Sequence, residues 1–262
     1  LEPRTRGLLL GAIFFGGMLG PVLLLFGLQL AAATSVSLWL NLEAVATALL
    51  GFFVFHDRLG RNGWIGAGGI LLSAVLLAWG QGAAGWEAGL LVAAACLCWG
   101  LDNHLTALID GITPAQSTFW KGLLAGTVNL AIGLAVEPLN AGLWQAGLAL
   151  VTGIFAYGLS ITLYIGAAQA LGATRSQLVF STSPYFGILL SVLFLHETLT
   201  LIQVGAAIVV GICVVLLTLE WHVHDHDHPT LDHEHWHDHA DPHHMHAHAV
   251  AAIPAHHSHR HR

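Results

Sequence analysis

The sequence predicts an all-α polytopic membrane protein made of two inverted five-helix repeats, with eight transmembrane helices visible of an expected ten. Three observations carry this. The chain is 55% apolar and 9% charged, against roughly a quarter charged in a soluble domain. Most of its acidic residues and histidines, taken together, lie after Glu220, so the residues before it suit a membrane and those after it suit water. Two stretches, Gly27 to Leu59 and Ala167 to Leu199, align without a gap at a shift of 140 residues, with Gln29 on Gln169, Thr34 on Thr174, His56 on His196 and Asp57 on Glu197. The match continues outward, through Gly7-Leu8 on Gly147-Leu148, Phe15 on Phe155 and Val75-Leu76-Leu77 on Val215-Leu216-Leu217. Finally, with eight crossings every Lys and Arg falls on one side.

A helix needs about 20 apolar residues to cross the hydrocarbon. Such stretches lie near 7–30, 35–55, 63–80, 88–109, 116–136, 142–168, 176–195 and 200–219. Short connections separate them: Gly60-Arg61-Asn62, Gly80-Gln81-Gly82, Asp110-Gly111 with Pro114, and Glu137-Pro138-Leu139-Asn140. Backbone groups in lipid must be satisfied within the segment, and nothing alternates as a barrel strand would, so helices are expected. Arg4, Arg6, Arg58, Arg61, Lys121, Arg175, Arg260 and Arg262 share a side, which the positive-inside rule makes the cytoplasm. The opposite loops hold Glu87, Glu137 and Glu197.

Five crossings separate the two copies, and an odd number inverts the second relative to the first. The units are then 1–80, a partial first repeat of three helices; 86–219, a second repeat of five; and 220–262, a His-rich tail expected to be disordered. The chain opens on LEPRTRG rather than Met, and two further spans are expected upstream.

At this point the motifs resemble the EamA-like branch of the drug/metabolite transporter superfamily, over residues 7 to 219. The family's "E-R-L-T" step resembles His56-Asp57-Arg58-Leu59 and His196-Glu197-Thr198-Leu199-Thr200. Its proline in the penultimate helix resembles Pro184, where the first copy departs with Ala44 after Glu43. Trp99-Gly100 resembles its "W-G", and Lys121 stands where the family often has Arg. The resemblance implies a ten-helix secondary transporter in the cell (inner) membrane, multi-pass, with both termini cytoplasmic.

Ionisable groups at membrane depth usually face a cavity or a partner. Glu43, flanked by Asn41 and Trp39, is the strongest candidate for a proton-coupling carboxylate; a neutral Glu bonded to a neighbouring helix is the plainer reading. Asp102, Asn103 and His104 form a polar cluster after Trp99. Trp99 and Asn103 share a helix face, as do Asp102 and Thr106, whereas Asp102 and His104 point apart. Lys121 is expected to snorkel to the headgroups, with a substrate or gating role raised by the resemblance. Ser183-Pro184 and Gly20-Pro21 are candidate kinks. Trp120, Tyr157, Tyr164 and Tyr185 are candidate walls or packing aromatics. Gly11, Gly16, Gly17 and Gly20, and Gly66 with Gly69, suit close helix packing. Gln29 and Gln169 are expected to cap equivalent helix ends. Asp57 and Glu197 are expected to complement the dipole of the helix that follows each. His56 and His196 lie on opposite sides and share no metal. Cys96, Cys98 and Cys213 read as small apolar helix residues.

Sixteen of the 19 histidines lie from His222 onward, interleaved with carboxylates. His222, His224, His226, His228, His233, His235, His237, His239, His243, His244, His246 and His248 are candidate ligands for Zn, Ni or Co, with proton buffering as the plainer alternative. No cofactor is required. The expected partners are the lipid bilayer, a small-molecule substrate and divalent metal ions at the tail, and a homodimer is left open. Scattered single basic residues leave no nucleic-acid footprint, and no arrangement of nucleophile, base and oxyanion hole argues for an enzyme. Secondary active transport of a small organic metabolite, amino acid or drug by alternating access, as an exporter or a proton-coupled carrier, is the leading reading. Transition-metal export and a membrane metal sensor without transport are the alternatives.

Overall fold

A computed structural model of the chain describes residues 2–56, 59–136, 138 and 140–218, and the backbone alone of 234–238 and 256–260. The chain divides into two units, Leu1–Trp221 and His222–Arg262. The described residues of the first unit form helices and their connections. Seven are long and apolar enough to cross a membrane: α1 Pro3–Leu30, α2 Ala33–Phe53, α3 Arg61–Gly80, α4 Gly82–Ala107, α5 Pro114–Val136, α6 Leu143–Leu171 and α7 Ala173–Phe194. A shorter apolar helix, α8 Leu201–Leu217, follows. This is a polytopic membrane protein, and each expected span has its helix. In the second unit the backbone of Glu234–Asp238 pairs antiparallel with His256–Arg260. The side chains of the tail, and with them the twelve candidate metal ligands, lie outside the described residues.

Local chemistry sets the helix starts. Thr113 and Gln116 bond each other's backbone N–H at the head of α5, at 3.2 and 2.9 Å. Thr200 and Gln203 do the same before α8, at 3.2 and 2.8 Å. Both are capping boxes that satisfy orphan donors. Gly172, at φ 90°, makes the sharp turn between α6 and α7 that a side chain would strain.

The repeat is visible in the backbone itself. α1 contains a π-helical segment at Ile13–Leu19, and α6 contains one at Gly153–Leu159, a shift of 140 at both ends. The helices α2 and α7 each break partway along their length, between Ala33–Trp39 and Leu42–Phe53 and between Ala173–Phe180 and Ser183–Phe194. Bonds from residue i+3 to residue i bridge both breaks. The Ala44 N–H donates to the Asn41 carbonyl at 3.2 Å, and the Tyr185 N–H donates to the Thr182 carbonyl at 3.2 Å. His56 and His196 adopt the same left-handed conformation, at φ 59° and 54°.

Contacts near the helix ends confirm that successive helices alternate in direction. Thr5 donates to the Asp110 carbonyl, and Gln169 donates to the Ile109 carbonyl at 3.0 Å, all on the face that carries Arg4, Arg61 and Arg175. On the opposite face Gln81 donates to Ser35 at 2.8 Å, and Gln203 donates to Thr34 and Ser35 at 2.9 Å each.

The expected dipole role of Glu197 is corrected. Its carboxylate accepts from the backbone N–H groups of Ala33 and Thr34, at 3.0 Å each. It therefore caps the start of α2, in the other repeat, rather than the following helix α8, whose orphan donor is already met by its capping box. Partial burial opposes the charged form, but the bonds from Thr34 and Ala33 together outweigh it and lower the Glu197 pKa. Its counterpart Asp57 lies outside the described residues. The paired capping role of Gln29 and Gln169 is corrected too: Gln169 bonds Ile109, while Gln29 is exposed.

Helix packing in lipid depends on close approach rather than on water exclusion. The helices α3 and α8 pack along Gly66 and Gly69, where a Cβ would overlap Cys213. The core gathers Val36, Leu38, Trp39, Ile70, Val92, Val210 and Leu217. At its centre the buried Trp39 indole donates to the Ala74 carbonyl at 3.1 Å. The large exposed side chains of α5 and α6, such as Leu130, Leu150 and Leu163, suit lipid.

Candidate functional site

The two helix breaks and the two π segments meet at one cavity of about 530 Å³. Gly16, Gly17 and Leu24 of α1 line it, with Leu40 and Glu43 of α2, Trp99, Asp102, Asn103 and Thr106 of α4, and Lys121 of α5. Ala156, Tyr157, Ser160, Ile161, Tyr164 and Ile165 of α6 and Gln177, Phe180, Ser181, Ser183 and Pro184 of α7 complete the wall.

The π segment of α1 explains part of this geometry. A π turn frees backbone carbonyls. The Gly16 carbonyl accepts from the Trp99 indole at 3.0 Å, and the Gly17 carbonyl accepts from the Asn129 amide at 2.8 Å. Pro21 was a candidate cause of a kink, but α6 has Ile161 at the matching position and keeps its π segment. Proline is therefore not required for it. Gly16 leaves room for the Asp102 carboxylate, which a Cβ there would overlap.

That carboxylate holds the cation of the site. Lys121 Nζ donates to Asp102 Oδ1 and Oδ2 at 2.6 and 2.7 Å and to Thr106 Oγ1 at 3.2 Å. Thr106 in turn donates to Asp102 Oδ1 at 2.9 Å. The snorkelling expectation for Lys121 is corrected: the residue is 5% exposed, because a buried anion one helix away offers a nearer partner than the headgroups.

Glu43 meets the Asn103 amide, which donates to Glu43 Oε1 at 3.0 Å. Asn103 Nδ2 also lies 3.1 Å from Thr47 Oγ1 and 3.2 Å from Gln177 Oε1. The cavity thus brings together Glu43, Trp99, Asp102, Asn103, Lys121, Ser183 and Pro184 among the residues singled out from the sequence. Pro184 opens the second half of α7, where its missing N–H costs no helix bond.

Two candidates stand elsewhere. Asn41 donates to the Leu38 carbonyl at 3.2 Å and does not line the cavity. His104 is buried, with Nε2 2.9 Å from the Thr47 carbonyl and its ring stacked on Phe55 at 4.2 Å. Among the aromatic candidates Tyr157 and Tyr164 line the cavity; Tyr185 instead bonds the Ala207 carbonyl at 3.0 Å, and Trp120 is half exposed. Gln177 was missed. The available signal was a polar amide within an apolar span, two residues after Arg175. The Tyr164 hydroxyl is buried without a hydrogen-bond partner among the described residues.

Apolar helices crossing in alternating directions around a largely apolar cavity that holds a few charged and polar groups, with two copies of one backbone plan in opposite senses, fit a membrane transporter. The chain belongs to the EamA-like transporter family, whose family model matches residues 2–79 and 86–219. A protein described as an uncharacterized transporter, from Methanothermobacter thermautotrophicus strain Delta H, is 28% identical over 199 residues. That alignment covers 71% of this chain and 57% of the relative, so the chain spans little more than half of the relative's length.

Proposed function

We propose that this protein is a secondary active transporter of a small organic metabolite, amino acid or drug, working by alternating access between its two repeats. The observation that carries the reading is the cavity. It lies where both discontinuous helices break, and it holds a carboxylate, an ion pair and aromatic walls. Broken helices at the repeat interface are where transporters place substrate and coupling-ion sites. Glu43 is the coupling carboxylate, taking up and releasing a proton as access alternates. Asp102 and Lys121 orient polar groups of the substrate, while Tyr157, Tyr164 and Trp99 take its apolar part. The positive-inside rule supports reading the face with Arg4, Arg61 and Arg175 as the cytoplasmic face of a cell membrane.

Purified full-length protein in proteoliposomes tests this. Radiolabelled amino acids and other small organic solutes are expected to show counterflow and proton-gradient-driven uptake. Glu43→Gln is expected to abolish driven uptake and leave counterflow; unchanged driven uptake would remove Glu43 from the mechanism. The second reading, transition-metal export, rests on the histidines of the tail. Flux of Zn(II), Ni(II) or Co(II) that falls on deletion of residues 221–262, with no organic flux, would replace the first reading with that one. No flux of any compound would favour a sensor.

A further inference from the structure

The Asn103 amide sits at a junction that proton coupling alone leaves unexplained. One nitrogen, Nδ2, is within 3.0–3.2 Å of three oxygens, from Glu43, Thr47 and Gln177. A carboxamide nitrogen carries two hydrogens and cannot donate to all three. A half-turn of the amide exchanges Nδ2 for Oδ1. The Asn103 oxygen then faces three others, of a carboxylate, a carboxamide and a hydroxyl. Asn103, Thr47 and Gln177 are each at least nine-tenths buried. An all-oxygen set of this kind suits a hard cation and lacks the sulfur and imidazole that transition metals favour.

Charge decides the valence. Asp102 and Lys121 pair with each other, so among the described residues of the cavity Glu43 is left as one unmatched negative charge. A monovalent ion balances it, and a divalent ion would leave an excess. The backbone agrees: α2 breaks immediately before Glu43, and α7 breaks four residues after Gln177, the kind of discontinuity at which transporters hold Na⁺.

We infer that Glu43, Thr47, Asn103 and Gln177 form a Na⁺ site. The inference rests on reading the cavity as the transport site, where Na⁺ and the proton compete for the same carboxylate. The other ionisable groups of the cavity are the paired Asp102 and Lys121 and the hydroxyls of Tyr157 and Tyr164, and Cys96 lies behind the α2 break, with its thiol 3.8 Å from the Trp39 carbonyl.

Thermal unfolding of the full-length protein in detergent, at mildly alkaline pH, tests this in NaCl, KCl and choline chloride of equal ionic strength. NaCl is expected to raise Tm by about 2–4 °C over choline, with KCl giving no rise. Glu43→Gln and, separately, Gln177→Ala are expected to lose the Na⁺ increment while still unfolding cooperatively. Thr47→Val serves if either variant fails to fold. Absence of a Na⁺-specific rise in the wild type, or its survival in the variants, overturns the site. Organic counterflow without a Na⁺ rise defeats this inference alone. A Na⁺ rise in protein that moves no solute keeps the site and defeats the transport reading.

Discussion

The two copies of the repeat present the same backbone to the cavity and different chemistry. At a shift of 140, Gly16 corresponds to Ala156, Gly17 to Tyr157, Leu24 to Tyr164, Leu40 to Phe180 and Glu43 to Ser183, and all ten line the cavity. The copies share the π segment, the mid-helix break and the left-handed histidine. They differ in what they carry. At the matched positions the first copy brings Glu43 and the second brings Tyr157, Tyr164 and Phe180 as an aromatic wall; the second copy's opening helices α4 and α5 add Asp102, Asn103 and Lys121, which form a polar wall with Glu43. The backbone is thus matched between the copies where the side chains are not.

The strongest test of that contrast compares Glu43 with Ser183. Glu43→Gln is expected to reduce gradient-driven uptake to background. Ser183→Ala, at the matching position, removes at most one neutral hydrogen bond, about 1 kcal/mol, and should lower uptake by no more than about fivefold. Equal losses from the two would mean that the cavity works symmetrically. Stability separates the two walls next. Asp102→Asn or Lys121→Met leaves a buried charge unpaired and is expected to cost about 3–5 kcal/mol. The double variant should be more stable than either single one in detergent unfolding. Tyr164→Phe removes a hydroxyl that has no partner among the described residues, so it should leave Tm unchanged and alter only solute affinity.

Much of the fold was legible because membrane crossings need long apolar runs, and these ended at the glycines, prolines and charged residues that also end the helices. The repeat was legible because matched positions kept similar residues at one fixed shift. The partners of polar groups were not. Lys121 and Asp102 are 19 residues apart on different helices, and no spacing rule joins them. Glu197 reaches Ala33 and Thr34 across the repeat boundary, although its neighbour in sequence, α8, offered the nearer dipole. Asn41 and His104 looked like cavity residues because they are polar at depth. Their bonds to the Leu38 and Thr47 carbonyls show that a mid-membrane polar residue can serve the backbone instead.

Gly16 and Ala156 give a finer test of the same asymmetry. A Cβ at Gly16 would overlap the Asp102 carboxylate. Gly16→Ala should therefore displace the ion pair, cost about 1–3 kcal/mol by overpacking and lower transport. Ala156 already carries that methyl in the second copy. Ala156→Gly should cost only the helix propensity difference, about 1 kcal/mol, with transport retained.

A small effect is expected at Glu197, which ties the two repeats together outside the cavity. Glu197→Gln keeps an acceptor for Ala33 and Thr34 but removes the charge, so the expected loss is about 1 kcal/mol. Its sign with pH follows from the lowered pKa. The folded protein favours the carboxylate, so the contribution is complete above the ordinary value of 4.5 and disappears as pH falls through the lower folded value. Wild type and Glu197→Gln should accordingly differ in Tm at neutral pH and converge on acidification. A difference that persists unchanged into acid would mean that the clamp works by shape, and that charge plays no part in holding one repeat against the other.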